Sequence, residues 1–203
     1  MKRMLLVLSA LILSGCVSLL PEAPPPPRVF ALEAVDVAPL EGDALAVVVA
    51  VADPDGESAI RGTELVWRNG AELAYVAQTR WSERADDLLQ AMVIDTLSAQ
   101  GQVRAAVRPG AARADVLLSW TLRDFEIVES GGAYEARFAA HVMLIDRANR
   151  AILGVRDIAT SAPVASRSAS QAAQGLARAA QEGGARIGQF TVETLRDRSG
   201  SAL

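Results

Sequence analysis

Hydrophobic and polar positions alternate along most of this chain with one of two periods, and the switches between them mark the elements. Residues 43–52 contain Leu-Ala-Val-Val-Val-Ala-Val, a β-branched run that predicts a buried strand. The Asp53-Pro54-Asp55-Gly56 stretch that follows reads as a turn. Two more strands are predicted at 63–68 and 72–78, joined by Asn69-Gly70, a dipeptide that accepts φ > 0 at both positions. A helix follows, with Ser82 as its expected cap and Glu83, Asp86 and Asp87 at the positive end of its dipole. Ala85, Leu88, Leu89, Met92, Thr96 and Leu97 form its apolar face, and Gly101 sits where a left-handed C-terminal cap belongs.

A short strand at 102–107 precedes a long hairpin, 115–129 and 133–146, turning at Ser130-Gly131-Gly132. Residues 150–162 read as a third adjacent strand. Residues 168–196 read as a long helix, with Ala172, Leu176, Ala179, Gly183, Ile187 and Phe190 along one side. Gly183-Gly184 is expected to weaken its middle by about 1 kcal/mol per glycine and invite a kink. Residues 28–32 form a short extended segment, and no internal repeat is found. The order predicts an α+β domain: a mainly antiparallel sheet with two helices packed on one face.

The amino end follows different rules. Lys2 and Arg3 precede an apolar run from Met4 to Leu13, about half the ~20 residues a spanning helix needs. Leu13-Ser14-Gly15-Cys16 resembles the bacterial lipobox. That resemblance implies a signal peptide over 1–15, cleavage before Cys16, a diacylglycerol on its sulfur and an acyl group on its new amine. Each buried CH₂ contributes about 0.8 kcal/mol, so two or three chains hold a protein firmly where one does not. Residues 16–27 then form a lipidated tether, stiffened by prolines at 24–27. The domain is expected over 28–198, with a flexible tail at 199–203. Val17 is not acidic, which by resemblance to enterobacterial lipoproteins implies the periplasmic face of the outer membrane rather than the inner membrane.

Removing residues 1–15, Lys2 and Arg3 among them, takes the chain from 203 residues and a formal charge of −4 to 188 residues and −6. That balance argues against nucleic acid or anionic headgroups as partners, since both call for a basic surface. Cys16 is the single cysteine, so no internal disulfide forms. Candidate chemistry is sparse. His141 is the single histidine and falls within a predicted strand. Asp86-Asp87 is explained by the helix dipole, and Gly131-Gly132 lacks the helix and lysine of a phosphate loop. No catalytic residue, metal site or cofactor is expected beyond the lipid on Cys16. Trp120 is assigned to the core; Trp81 either staples the start of a helix or faces a partner. Trp67, Arg68 and Trp81 are the candidate partner-contact residues, on a 65–76 hairpin region whose edge suits strand addition.

Taken in order, several segments resemble the ABC-type transport auxiliary lipoprotein family. They are Ile60-Arg61-Gly62-Thr63-Glu64-Leu65-Val66-Trp67-Arg68; Trp81-Ser82-Glu83 leading into the helix that ends at Gly101; Ala114-Asp115-Val116-Leu117-Leu118; the long hairpin through Asp146; and the alanine-rich terminal helix. Val29-Phe30-Ala31-Leu32 departs from the usual tyrosine-containing strand, and the 53–60 loop is acidic. The resemblance implies a non-enzymatic subunit working with an ABC permease, an ATPase and a periplasmic protein of the mammalian-cell-entry type in phospholipid or other hydrophobic-substrate traffic between the two membranes. The lipoprotein of the paraquat-inducible system is one such relative. A homo-oligomer stays open. So do two other roles: a structural envelope-assembly lipoprotein, and a binder of small hydrophobic ligands in a pocket between helix and sheet.

Overall fold

The computed structural model describes residues 25–33 and 38–200. Cys16, the expected signal peptide and the start of the expected tether lie outside the described residues. Nine strands and three helices follow in chain order. They are β1 (Arg28–Phe30), β2 (Leu45–Val51), β3 (Asp55–Gly56), α1 (Ser58–Arg61), β4 (Glu64–Asn69), β5 (Glu72–Trp81), α2 (Ala85–Gln100), β6 (Val103–Val107), β7 (Val116–Ser130), β8 (Ala133–Asp146), β9 (Ile152–Val164) and α3 (Ala169–Gly200). No described helix is long and apolar enough to cross a membrane. The helix α3 runs on through Gly200, into the stretch expected to be tail.

All strands join one sheet organised around β7. One edge of β7 pairs antiparallel with β8 along its whole length, and β8 pairs antiparallel with β9. The other edge is shared by three strands that all run parallel to β7. Val49 lies against Val116, Asp55 against Thr121 and Trp67 against Ile127. Residues 49–69 thus travel up a single edge, interrupted by the excursion that holds α1. Outside them, β2 pairs parallel with β6, β4 antiparallel with β5, and β5 parallel with β1.

The sheet is therefore mixed, which corrects the expectation of a mainly antiparallel one. The reason lies in β2. Val49, Ala50 and Val51 are all buried, as in a strand enclosed between parallel neighbours. The turn expected at 53–56 contains β3. At Gly56, φ is +145° and a Cβ would stand 2.4 Å from the Leu122 carbonyl oxygen, so only glycine lets the chain hug β7 there.

The two long helices lie on one face, as the sequence predicts. Along α3, the Thr160 hydroxyl donates to the Ala179 carbonyl at 2.6 Å. A Cβ on Gly183 would come within 2.3 Å of the Phe138 ring. Gly183 thus allows close approach between helix and sheet, Gly184 faces Met92 of α2, and α3 is continuous through both. The helix α2 packs beside α3 and is pinned where Gln90 Nε2 donates to the Val51 carbonyl at 2.9 Å.

Ser82 does not cap α2. Its own N–H donates to the Phe30 carbonyl, and the helix starts at Ala85 with no side-chain cap. Asp86, nearly buried, takes over the electrostatic role: Arg84 grips both its oxygens and Oδ1 accepts the Asp87 N–H. Gly101 closes the helix in the left-handed conformation, as expected.

Candidate interaction surface

Strand alternation sorts the side chains of β7, β8 and β9 between two faces. Trp120, Leu122, Phe138, Val142, Ile158 and Ala162 point toward the helices and form the core. The seam between α3 and the sheet is filled, with Phe138, Leu176, Ala179 and Ile187 all fully buried. Grooves of about 370–480 Å³ lie on the described surface, and one of about 380 Å³ is lined by Glu182 and Arg186 of α3 together with Asp124, Glu135, Arg137 and Phe138 of the sheet.

The opposite face carries Leu117, Ser119, Thr121, His141, Met143, Ile145 and Val155, all half-buried or exposed. All four exposed large hydrophobic residues among those described belong to this helix-free face: Val29 at 52%, Tyr75 at 58%, Ile152 at 59% and Val155 at 46%. Register fixes the assignment. Val155 pairs with Met143 and Ile152 with Ile145. Tyr75 pairs with Val66, whose neighbour Trp67 turns the other way beside Ile127. Val29 pairs with Arg80, next to Trp81, which stacks on Phe125 in the core.

These residues form two corners. At one, Leu117, Met143, Ile145, Ile152 and Val155 make a contiguous apolar patch where β7 begins and β8 ends. At the other end, Val29 stands on β1 opposite Arg80, and Tyr75 stands five residues before Arg80 on the edge of β5 that is unpaired among the described residues, where its strand also borders the groove of Trp67 and Arg167. Between them lie polar pairs such as His141 Nδ1 to Asp157 Oδ1 at 2.7 Å, which has no third group to make a catalytic relay. No group of three or more metal-ligating side chains assembles among the described residues.

The candidate contact residues are dispersed by the fold. Trp81 is 1% exposed and belongs to the core, so the partner-facing alternative is closed to it. Trp67 is 4% exposed. Its Nε1 donates to Glu129 Oε2 at 3.1 Å, Tyr134 meets it edge-on, and the Arg167 guanidinium lies 5.2 Å over its ring. It lines a groove of about 370 Å³ with Tyr75 and Arg167. Arg68 points to the other face, where its hydrogen bond to the buried Glu126 raises its pKa. The outer edge of β5 is paired with β1 over Thr79–Trp81 alone among the described residues, so 72–78 is a free edge, as the hairpin expectation had it. The sequence reading missed Ile152, Val155, Tyr75 and Arg167. A signal existed: Val155 has the opposite parity to Ile158, Thr160 and Ala162, which puts an apolar side chain on the face away from the core.

The described domain is thus a mixed sheet backed by two helices, with exposed apolar side chains on its bare face. In sequence, residues 30–188 match the family described as ABC-type transport auxiliary lipoprotein component, and the chain belongs to that family. It is a family of transport auxiliaries, not of enzymes, and its members are lipoproteins. No curated protein matches the chain. Among solved structures, protein XCC0632 from Xanthomonas campestris is similar, with a TM-score of 0.80 and 20% identity over 85% of this chain and 99% of that one. The hypothetical protein CT253 from Chlamydia trachomatis shares the fold more loosely, with a TM-score of 0.53 and 11% identity over 73% and 96% of the two chains.

Proposed function

We propose that this protein is a non-enzymatic auxiliary subunit of an intermembrane phospholipid transport system. In this reading it is anchored through lipid on Cys16 to the periplasmic face of the outer membrane. There it holds a periplasmic protein of the mammalian-cell-entry type, whose permease and ATPase sit elsewhere. Family membership supports the transport role, and the lipobox and the non-acidic Val17 support the anchor and its membrane. The observation that carries the docking role is the apolar corner of the bare sheet face, where Ile152 and Val155 stand exposed. Contiguous apolar surface on a folded domain marks a site that another molecule covers.

Affinity purification of the intact lipoprotein from membranes, with mass spectrometry, tests this. The cell-entry-type protein is expected to co-purify. The double variant Ile152→Asp, Val155→Asp is expected to lose it by at least about tenfold, equivalent to about 1.4 kcal/mol, while keeping its fold and its membrane attachment. Recovery of no transport component with the unaltered protein overturns the transport reading. Undiminished recovery with the double variant moves the contact elsewhere.

A further inference from the structure

The two exposed corners of the bare face lie at opposite ends of the sheet, and the path of the chain distinguishes them. Ile152 stands beside Ile145, near the end of β8, whereas Trp67 of the β4–β5 hairpin meets Tyr134 at its beginning. The eleven steps from Tyr134 to Ile145 span about 36 Å at the ~3.3 Å rise of a strand. The strand β1 runs parallel to β5, with Arg28 beside Thr79 and Phe30 beside Trp81. The chain therefore comes into the domain from the side of the Asn69–Gly70 turn, the end that carries Tyr75. Eight residues lie between Cys16 and Pro25, the first described residue, making nine steps along the chain. Extended, they reach about 28–30 Å.

We propose that the Tyr75–Val29 corner lies on the lipid bilayer to which Cys16 is tied, which turns the Ile152–Val155 corner toward the periplasm. This rests on the reading of Cys16 as the lipid anchor and deepens the docking role by giving it a direction. The short reach of the tether keeps the β1–β5 end near the headgroups. The far corner touches them only if the domain folds back over its own anchor. The side chains suit the place: a phenol with a polar tip belongs at the headgroup level, Val29 adds an aliphatic contact, and the exposed Arg80 beside it, cross-strand from Glu64, leaves the site with no excess of charge.

The full-length lipidated protein provides the test, because acylation consumes its single cysteine and leaves any introduced thiol as the one labelling site. Tyr75→Cys and Ile152→Cys, both at exposed positions, are labelled with the polarity-sensitive fluorophore NBD. They are then reconstituted into vesicles of phosphatidylethanolamine and phosphatidylglycerol. The label at 75 is expected to shift to the blue and be quenched by doxyl-labelled lipid. The label at 152 is expected to keep its aqueous emission and be quenched by iodide. Equal behaviour of the two labels, or lipid quenching at 152 alone, overturns the orientation. Failure of the protein to float with vesicles in a density gradient instead overturns the anchor, and the orientation with it.

Discussion

At the scale of single residues, two positions decide how tightly α3 is held. Gly183 is the first. A methyl group there meets the Phe138 ring at 2.3 Å, with Phe138 fully buried and unable to withdraw. Gly183→Ala gains about 1 kcal/mol of helix propensity and incurs about 1–3 kcal/mol of overpacking, so the clash wins. A lower melting temperature is expected, and pairing it with Phe138→Leu should recover most of the loss. The second is Asp146 in the β8–β9 turn. The Ala148 N–H, then the Arg198 guanidinium and the Asn149 N–H, hold its carboxyl below the ordinary carboxylate range against the opposing effect of burial. A carboxyl whose pKa is depressed by folding stabilises the native state above the unfolded value, about 3.9. That contribution is lost as pH falls through the lower folded value. Asp146→Asn is therefore expected to lower the melting temperature at neutral pH and to flatten its fall below about pH 4. Thermal melts across that range check both.

Among the elements, β9 poses the clearest physical problem, since its outer edge is unpaired among the described residues. Arg178 donates to the Pro163 carbonyl at 3.0 Å and Arg186 to the Ala159 carbonyl at 3.2 Å. The spacing works because eight helical residues advance about 12 Å and four strand residues about 13 Å. Two arginines of α3 thus cover outward carbonyls of a strand that would otherwise template pairing with another chain. Arg178→Ala with Arg186→Ala is expected to cost about 1–3 kcal/mol in total, at 0.5–1.5 kcal/mol per hydrogen bond. It should also raise self-association, measured by light scattering against concentration. Period and turn chemistry made nearly every element legible, including the hairpin at Asn69–Gly70 and the left-handed cap at Gly101. Strand direction was not legible, because Val47–Val51 announces burial on both faces without saying which neighbours enclose it. The loss of Ser82 as a cap was equally hidden, since its N–H joins Phe30, far away in sequence, and the helix begins only at Ala85, with Arg84 in the cap position. The apolar corner depended on parity within β9, which shows only once Ile158 and Ala162 are known to face the helices.

On the scale of the whole molecule, two membrane contacts of very different strength are combined. Burying Val29 and Tyr75 completely contributes about 1.5–3 kcal/mol for the valine and a similar amount for the ring. An acyl chain contributes about 0.8 kcal/mol for each CH₂ buried, and Cys16 is read as carrying two or three chains. The anchor therefore decides residence on the membrane, whereas the corner has only enough energy to bias orientation. Cys16→Ser separates the two roles. The described core runs from Leu32 to Leu195 and draws no residue from before Phe30, so the variant is expected to melt at the same temperature as the unaltered domain. It should nonetheless appear in the soluble periplasmic fraction or stall as an uncleaved precursor. It should also lose transport function even though both corners of the sheet are intact. Fractionation combined with thermal melting reads both halves of that expectation. A Cys16→Ser protein that stayed membrane-bound after signal cleavage would assign residence to the folded surface instead.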